Sequence, residues 1–551
     1  MRWEYIVDAE EMQRADHNTI EHFKIPQLVL MERSALAARD LIRQRWRKIF
    51  EGEPKVLIAC GNGNNGGDGA ALARLLFLTG CDVTVLVSGE REKYSPAMRT
   101  QMEILERYRE KGDKTLHILT DEKWISIWDG HRPEGRLNSA AWDLVIDALF
   151  GIGLSREITG IYRKKTEWLN GLSGKKAALD ISSGISAKDG HILGCAFRAD
   201  LTVTFGFQKR GMALYPGREI CGEVIVADIG ITEDSFLGEY PAGMTIGRDR
   251  WREGGILPRR NPNGHKGSFG KVLLYAGSAG TPGAALLAGE AVLRSGAGML
   301  QIVSPVENRE LILTRLPEAM YQALTEQTDW EKLFGWCDAV VIGPGIGQDI
   351  AAQKSMEKIM TFMSENKKIK PVILDADGLN LLASSERLFK LVKIYTAQGG
   401  IVIMTPHMAE LARLLHCSMP DLQKERMEKL EGYCRETGAI LVSKDAAAAV
   451  GFHDSMDRFR YYVNQTGNSG MATAGSGDVL SGITGALMAY TAVNHGGSGE
   501  KTDRKEACFQ AVCHAVYLHG LAGDMAAEKC GEVSMKAGDI IAALPETLNF
   551  L

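Results

Sequence analysis

A glycine-rich loop in the N-terminal half, CGNGNNGGDG at residues 60–69, has the residue types and spacing to bind a nucleotide. It follows the apolar run KVLIA and contains Gly61-x-Gly63-x-x-Gly66, the spacing of the dinucleotide-binding fingerprint. Such glycines allow close backbone approach, and the helix that follows favours a phosphate at its N-terminus. The fingerprint also requires a carboxylate at the end of the next strand, where this chain has DVTVLV followed by SGE. The loop therefore predicts nucleotide binding and argues against an ordinary hydride-transfer dehydrogenase.

Polar side chains also lie at the ends of other strand-like runs in this half. Asp147 ends the run LVID, Asp180 and Ser183 belong to LDISSG, and Asn65 lies in the first loop. Asn65, Asp147 and Ser183 offer the oxygen ligands that hard cations prefer. Asp180 offers a general acid or base. Caps of helices and turns are the alternative for each side chain, but three neighbouring strand ends with the same chemistry favour a ligand site.

The strongest signal in the C-terminal half is NQTGNSGMATAGSGDVLSGITGALMA, at residues 464–489. Gly475, Ser476 and Gly477 supply consecutive backbone N–H groups, an anion hole, at the start of an apolar helix. Such a nest stabilises a transferring phosphoryl group, and Asp478 can take a proton from a hydroxyl group beside it. An aspartate N-cap among glycine turns is the alternative. A G-x-x-x-x-G-K-[ST] motif is absent from the sequence, which argues against a P-loop enzyme.

Strand-like apolar runs alternate with helical patterns along the whole chain, and these elements must position the loops. Near-continuous Val, Ile and Leu runs between helices predict parallel strands that are buried on both faces. Both halves are therefore predicted to be three-layer αβα domains of the α/β class, with boundaries at 1–238 and 239–551. The runs are KVLIAC (55–60), DVTVLV (82–87), DLVIDALF (143–150), KAALDI (176–181), DLTVTF (200–205), GEVIVADIGI (222–231), KVLLYAG (271–277), GMLQIVS (298–304), DAVVIGPG (338–345), PVILDADG (371–378), GIVIMTP (400–406) and AILVSKD (439–445).

Size and composition limit the class of protein. The 551 residues exceed one compact core, and 45% hydrophobic with 24% charged residues is typical of globular domains. A net charge of −5 gives no reason to expect nucleic acid or a membrane surface as partner. Ten cysteines without a CxxC pair and an acidic N-terminus predict reduced thiols and a cytoplasmic location.

The N-terminal motifs together resemble the NAD(P)HX epimerase domain, which is Rossmann-like, over about residues 5–235. The resemblance rests on GNGNNGGDG, DALFGIGLSREITG, DISSGISAKDG, ADLTVTFG and VADIGI. It implies that K⁺ is bound by Asn65, Asp147 and Ser183, and that Asp180 has a catalytic role. One departure is Ser182, where the family usually has proline. The substrate contacts that the resemblance implies are Asn64, Asn65, Gly66, Gly67, Asp68, Gly151, Ile152, Gly153, Leu154, Ser155, Arg156, Glu157 and Asp180.

The C-terminal motifs resemble the NAD(P)HX dehydratase domain of the ribokinase-like superfamily, over about residues 250–551. The resemblance rests on the 265–299 segment, LPEAM, IGPGIG, ILDADGLN, MTPHMAEL, YLHGLAGDMAA and the Gly-Ser-Gly-Asp stretch. Where the family commonly has Lys-Gly-x-x-Thr, this chain has KDAAA. The implied substrate contacts are Ala285, Gly345, His407 and Asp478, and the implied nucleotide contacts are Lys444, Asp445, Ala446, Ala447, Ala448 and Gly477.

The two resemblances imply one repair reaction, in which an epimerase supplies the isomer that a dehydratase consumes. Phosphorylation would make the hydroxyl group of hydrated NADH or NADPH a better leaving group, with Asp478 as base, ADP as co-substrate and Mg²⁺ on its phosphates. We also expect a homo-oligomer. The alternatives are a ribokinase-like small-molecule kinase, for instance of a hydroxymethylpyrimidine, and a catalytically silent nucleotide-binding module in the first half.

Overall fold

The computed structural model describes residues 3–110, 115–128, 142–247, 260–366, 369–495 and 501–550. Two compact units are present, Tyr5–Gly243 and Met244–Leu551, and Met1–Glu4 groups with the second unit. The division therefore falls after Gly243, five residues beyond the predicted boundary. That each segment carries its own activity stays a prediction.

The N-terminal unit is built on a parallel sheet. Its strands are β1 (Glu4–Val7), β2 (Lys55–Cys60), β3 (Asp82–Val87), β4 (Leu116–Leu119), β5 (Leu144–Ala148), β6 (Lys175–Leu179), β7 (Leu201–Phe205), β8 (Gln208–Lys209) and β9 (Glu223–Ala227). Among the described residues the sheet has the order β4-β3-β2-β5-β6-β7-β9, and all of its neighbours are parallel. A separate short pair joins β1 to β8. The order reverses between β2 and β5, so the loops after these two strands flank the switch point where open α/β sheets bind ligands.

Helices cover this sheet and supply the N-termini that face its carboxyl edge. They are α1 (Ala9–Glu21), α2 (Gln27–Arg45), α3 (Asn64–Phe77), α4 (Pro96–Glu110), α5 (Asp121–Trp128), α6 (Gly160–Gly171), α7 (Arg210–Ala213) and α8 (Gly217–Ile220). The glycine-rich loop leads from β2 directly into α3, with Gly63 at the N-cap and Asn64 as the first helical residue. The predicted phosphate-facing helix start is therefore present.

Close packing of α3 on the sheet depends on Gly69. A Cβ atom at this position would lie 2.5 Å from the Ala148 Cβ and 2.9 Å from the Cys60 Sγ. We expect Gly69→Ala to lower the free energy of unfolding of the N-terminal unit by about 1–3 kcal/mol, because the core has no room for the methyl group. Urea or thermal unfolding measures this. Gly171→Ala, at a helical glycine with nothing within 4 Å, is the matched control, and an equal loss there would contradict the packing explanation.

The C-terminal unit has a larger, mixed sheet. Its strands are β10 (Gly243–Thr245), β11 (Lys271–Tyr275), β12 (Met299–Ser304), β13 (Met320–Ala323), β14 (Ala339–Ile342), β15 (Val372–Leu374), β16 (Val402–Met404), β17 (Ile440–Ser443), β18 (Ala449–His453) and β19 (Phe459–Val463). Within this unit the described strands follow the order β13-β12-β11-β14-β15-β16-β17-β18-β19-β10. Pairing is parallel from β13 to β17 and antiparallel from β17 through β18 to β19.

Every apolar run singled out in the sequence forms a strand, and the α/β class with parallel sheets is confirmed. The antiparallel strands β18 and β19 were not predicted, because their sequences, AVGFH and FRYYV, contain polar residues and no long aliphatic run. They follow β17 as a hairpin-like extension, which closes the parallel series at this edge. The short strands β1, β4, β8, β10 and β13 were also missed.

Helices of the C-terminal unit bury the element that carries the predicted anion hole. They are α9 (Pro282–Arg294), α10 (Arg309–Arg315), α11 (Trp330–Trp336), α12 (Ile350–Glu365), α13 (Asp377–Ser384), α14 (Glu386–Ala397), α15 (Met408–Leu414), α16 (Met419–Lys424), α17 (Arg426–Thr437), α18 (Ser476–His495), α19 (Lys501–Cys530) and α20 (Ala537–Phe550). Helix α18 packs against α9, α19 and β14. A Cβ at Gly482 would lie 2.3 Å from the Ala288 carbonyl oxygen, so α18 and α9 are in backbone contact.

All ten cysteines are free thiols, as predicted. In the part of the chain that the structure describes, no helix has both the length and the apolar character needed to cross a membrane.

Candidate active sites

A cavity of about 470 Å³ lies at the switch point of the N-terminal sheet. Helices α1 and α2 contribute Met12, Asp16 and Met31 to its wall. The residues of the predicted substrate set that line it are Asn64, Asn65, Asp68, Gly151, Ile152, Gly153, Leu154, Ser155, Arg156 and Asp180. The structure therefore brings the two predicted loops and the predicted catalytic aspartate to one cavity.

Three members of that set lie outside the cavity lining: Gly66, Gly67 and Glu157. A Cβ at Gly66 would lie 2.0 Å from the Gly61 carbonyl oxygen, and one at Gly67 would lie 2.6 Å from the Met31 Cε. These two glycines are required for the close packing of α3 against its surroundings. Substrate contact by the three residues stays a prediction.

The predicted cation ligands lie at adjacent strand ends, and one of them has an unpaired amide. Both amide atoms of Asn65 are buried without a hydrogen-bond partner among the described residues. Asp147 is fully buried, and its carboxylate accepts from the Ser183 N–H and hydroxyl, each at 2.7 Å. Burial raises the pKa of Asp147 to about 6, against the lowering effect of the Ser183 bonds. An unpartnered amide oxygen and a buried carboxylate are oxygen donors of the kind that hard cations prefer.

The turn that carries Asp180 is held by main-chain bonds. Asp180 has a positive φ of 66°, and its N–H donates to the Val203 carbonyl at 2.8 Å. Ser182, where the family usually has proline, is fully buried, and its carbonyl accepts from the Ile185 N–H at 3.1 Å. The turn is therefore closed by a main-chain hydrogen bond even though serine replaces the family's proline.

Asp180 is paired with Lys209, a residue that the sequence did not single out. The Lys209 ammonium group donates to Asp180 Oδ1 at 2.5 Å, and the Lys209 side chain is fully buried. Lys209 lies just beyond ADLTVTFG, in strand β8, so only the tertiary pairing reveals its partner. It is the functional candidate of this unit that sequence reasoning missed.

Two further carboxylates line the same cavity, and their environment favours protonation. Burial raises the pKa of Asp68 well above its usual value, and the charges of Asp180 and Asp16 raise it further. Burial and Asp180 also raise the pKa of Asp16. The cavity thus holds Asp68, whose pKa is raised, together with Asp180, which is paired with lysine. Two carboxyl groups in unlike environments can divide the acid and base roles of one reaction.

In the C-terminal unit the predicted anion hole begins helix α18. Gly475 has a φ of 86°, in the left-handed region, and a Cβ there would lie 2.4 Å from the Leu287 Cδ1. A Cβ at Gly477 would lie 3.3 Å from the Lys444 Nζ and 3.8 Å from the Asp375 Oδ2. The helix N-terminus therefore has a lysine ammonium group beside it, which adds positive charge where a phosphoryl group would lie.

Asp478 has the electrostatic surroundings of a general base. Burial raises the pKa of Asp478 to about 7; the charge of Asp375 raises it further, and Lys444 lowers it. Asp375 is buried and accepts from the Lys444 Nζ at 2.7 Å and the Ser481 hydroxyl at 2.6 Å. Asp375 was present in the ILDADGLN motif but was not singled out, although its strand-end position matches that of Asp147 and Asp180.

The predicted substrate residues of this unit differ in their local roles. Ala285 is fully buried in α9, whereas the Gly345 carbonyl accepts from the Thr281 hydroxyl at 2.7 Å. His407 is the N-cap of α15, and its Nδ1 accepts from the Ala409 N–H at 3.1 Å. Burial and the charge of Lys444 lower the pKa of His407, so its exposed ring is neutral near pH 7.

The predicted nucleotide loop, Lys444 to Ala448, is held by one buried arginine. Arg426 in α17 donates to the Ser443 and Ala447 carbonyls, each at 2.9 Å, and to the Asp445 carboxylate at 3.2 Å. Its bonds fix the main chain of the loop in the stretch where the family's glycine and threonine are replaced. Arg426 was not singled out in the sequence, because it lies 18 residues before Lys444 in an ordinary helical segment.

Comparison with known proteins decides what these two sites belong to. Residues 27–211 match the family model described as YjeF-related protein N-terminus, and residues 272–546 match the one described as NAD(P)H-hydrate dehydratase. The bifunctional NAD(P)H-hydrate repair enzyme Nnr of Moorella thermoacetica is 33% identical, over 99% of this chain and 97% of that protein. The chain belongs to the family of bifunctional NAD(P)H-hydrate repair enzymes.

Another member matches nearly the whole chain, and one solved structure matches about half of it. The repair enzyme Nnr of Escherichia coli is 31% identical, over 98% of this chain and 93% of that protein. The ADP/ATP-dependent NAD(P)H-hydrate dehydratase from Bacillus subtilis, co-crystallised with ATP and Mg²⁺, is 29% identical with a TM-score of 0.44. The match covers 55% of this chain and 98% of the Bacillus subtilis chain. This family therefore joins two catalytic units, and the present chain contains both.

Proposed function

We propose that this chain epimerises hydrated NADH and NADPH in its N-terminal unit and dehydrates the S epimer in its C-terminal unit. The proposal rests on full-length membership of the repair family together with one observation in the structure. Asp180 lines the cavity at the switch point of its sheet, and Asp478 lies in the first turn of α18, whose start has Lys444 and Asp375 beside it. A true small-molecule kinase would use only the second site.

The chemistry of the substrate explains why an acid and a base are needed. Hydration of a dihydronicotinamide places water on the ring carbon next to nitrogen, because the nitrogen lone pair stabilises a cation there. Loss of that hydroxyl group as water leaves an iminium ion, and addition of water to the opposite face gives the other epimer. In our proposal Asp68 donates the proton to the leaving hydroxyl group and Asp180 removes one from the incoming water.

A cation bound by Asn65, Asp147 and Ser183 would supply positive charge beside this cavity. We infer K⁺ from the resemblance and from the unpartnered Asn65 amide. In the chain itself, Asp147 orders the loop after β5 through the Leu149 N–H at 3.1 Å, and Ser183 accepts from the Phe150 N–H at 2.9 Å. These bonds connect the predicted cation ligands Asp147 and Ser183 to the glycine-containing loop after β5.

We expect K⁺ to stabilise the N-terminal unit. At equal ionic strength, replacing choline chloride by KCl should raise the free energy of unfolding by about 1 kcal/mol. The thermal unfolding midpoint should then rise by about 2–4 °C. Thermal unfolding followed by circular dichroism measures this. Asp147→Asn should abolish the difference because it removes the buried negative charge. An equal rise in that variant, or none in the parent, would contradict the site.

In the C-terminal unit a phosphoryl transfer precedes the elimination. Asp478 takes the proton of the substrate hydroxyl group, whose oxygen attacks the terminal phosphorus of ADP, and AMP leaves. The C–O bond then breaks with phosphate as the leaving group, loss of the proton on the adjacent ring carbon restores the double bond, and NADH or NADPH is released. The backbone amides of residues 475–477 and the Lys444 ammonium group stabilise the transferring group.

Mg²⁺ would enter with the nucleotide. Among the described residues no group of three His, Cys, Asp or Glu side chains is placed to hold a metal on its own. That arrangement fits Mg²⁺ bound mainly to phosphates and water, with one or two carboxylates, and Asp478 and Asp375 are the carboxylates at the helix start. We propose ADP as the phosphoryl donor, and we propose a cytoplasmic location and a homo-oligomer on the sequence alone.

The overall assignment is tested with hydrated NADH that contains both epimers. Purified protein with ADP and Mg²⁺ should restore the full 340 nm absorbance, and ATP in place of ADP tests the choice of donor. Recovery of only the S fraction would remove the epimerase from the proposal. Accumulation of a stable phosphorylated product would favour the kinase alternative, and no recovery with either nucleotide would end the repair assignment.

The pH dependence of dehydration follows from Asp478. A base acts as the carboxylate, so kcat/KM should fall about tenfold per pH unit below a midpoint near its pKa of about 7. Lys444→Met removes a charge that lowers this pKa, so the midpoint should move to higher pH. Initial rates with ADP between pH 5.5 and 9 measure both. A flat profile with a rate limited by chemistry would contradict Asp478 as the base.

A further inference from the structure

Lys209 is a buried cation that the proposed reaction steps leave without a role. Its ammonium group donates to three acceptors: Asp180 Oδ1 at 2.5 Å, the Thr204 hydroxyl at 2.8 Å and the Phe205 carbonyl at 3.0 Å. A lysine has three N–H donors, so all of them are used inside the protein. The side chain is fully buried and does not line the cavity. Of its three acceptors, Asp180 is the one that presents a charged side chain to the cavity, so Lys209 acts on a bound molecule mainly through Asp180.

The second oxygen of Asp180, which does not bond to Lys209, lies at the cavity. A Cβ at Gly151 would lie only 3.0 Å from Asp180 Oδ2, so this oxygen borders the second glycine loop at the cavity. One carboxylate oxygen is thus held by lysine while the other is available. The positive φ of Asp180 is an uncommon conformation for a residue with a side chain, and it persists where surrounding bonds enforce it.

Lys209 supplies a positive charge beside three carboxyl groups at the cavity. Asp16 from α1 and Asp68 from α3 line the same cavity, Arg156 lines it from the loop after β5, and Lys209 lies on β8. The charge of Asp180 raises the pKa values of Asp68 and Asp16, because like charges in a partly buried site repel. The ammonium group of Lys209, in direct contact with Asp180, offsets that effect.

We propose that Lys209 is a positioning residue for epimerisation, which holds one oxygen of Asp180 in an ion pair and so directs the other oxygen toward the substrate. This inference rests on the proposed epimerase function of the N-terminal unit. It predicts that the lysine acts mainly through Asp180, and that its charge matters more than its shape. A residue that only fills the core would behave differently in both respects.

The test uses the full chain and pure S-NADHX without nucleotide, so that dehydration cannot occur, and follows formation of the R epimer by chromatography. Lys209→Met should lower kcat by about 10²-fold with a small change in KM. The acid limb of its pH profile should move to higher pH, because a positive charge in contact with the reacting group is lost. Lys209→Arg should retain most of the activity and the parent's acid limb.

A double-variant comparison tests whether Lys209 acts through Asp180. In an Asp180→Asn background, Lys209→Met should lower the residual rate by less than about threefold, since the interaction is already lost. A further 10²-fold loss there would overturn the proposal. So would a Lys209→Met variant with the parent's rate and pH profile. If Lys209→Met unfolds, the double variant, which removes both charges, and Lys209→Arg still decide the question.

Lys165 provides the matched control in the same unit. It is equally buried, is paired with Asp121 and donates to the Ser88 hydroxyl at 2.6 Å, but it does not line the cavity. Lys165→Met should leave the pH profile of epimerisation unchanged, and a shift equal to that of Lys209→Met would contradict a specific role. Dehydration of S-NADHX with ADP checks that the rest of each variant is intact. An inactive parent protein would instead contradict the epimerase assignment itself.

Discussion

Replacement of Asp478 by asparagine should lower ADP-dependent dehydration of S-NADHX by about 10²–10⁴-fold, the usual contribution of a general base. Asparagine has nearly the same shape, so the start of helix α18 and the anion hole at residues 475–477 should persist. The amide cannot accept the hydroxyl proton, so the loss should appear in kcat with little change in KM for ADP. Recovery of 340 nm absorbance measures it, and epimerisation should proceed at the parent's rate.

Asp421 is the appropriate control for this variant. Like Asp478 it is an aspartate at the third position of a helix in the C-terminal unit, but it is exposed and bonded to the Ser418 N-cap. Asp421→Asn should therefore leave both activities unchanged. If Asp478→Asn retained most of its dehydratase rate, the base would have to be another group. If it lost epimerisation as well, two separate sites would be contradicted.

Replacement of Asp180 by asparagine should lower epimerisation by about 10²–10⁴-fold and leave dehydration of S-NADHX intact. The physical reason is the loss of a carboxylate whose free oxygen borders the cavity. With a mixture of epimers and ADP, the variant should restore absorbance quickly for the S fraction and then continue only at the spontaneous rate of epimerisation. The two-phase progress curve distinguishes this from a general loss of activity.

A variant of a second aspartate in the same sheet serves as the control, because it distinguishes a loss of catalysis from a loss of stability. Asp200 precedes β7 at the opposite, amino edge of the sheet, where its carboxylate accepts from the Lys176 N–H at 2.9 Å. Asp200→Asn removes an exposed charge at this edge without touching the cavity, so it should leave the single-phase progress curve of the parent. A two-phase curve there, or a single-phase curve for Asp180→Asn, would contradict the assignment of Asp180.

The strands could be read from the sequence because their burial on both faces leaves long aliphatic runs. All twelve such runs form strands, and the glycine loop begins α3 as expected. The strands without such runs, among them β18 and β19, were missed for the same physical reason. Local patterning also placed Asn65, Asp147, Asp180 and Ser183 at strand ends, where parallel topology brings them to one edge.

The sequence by itself determined which chemical groups stand at strand ends and helix starts, since a glycine loop or a strand-end aspartate is a local property. The partners of those groups were decided only by the tertiary structure. Lys209 reaches Asp180 across 29 residues, Lys444 reaches Asp375 across 69, and Arg426 holds a loop that begins 18 residues later. No periodicity records such pairs, because they arise when separate strands and helices pack together. The local pattern therefore indicates the groups that react, and the packing sets their charges and directions.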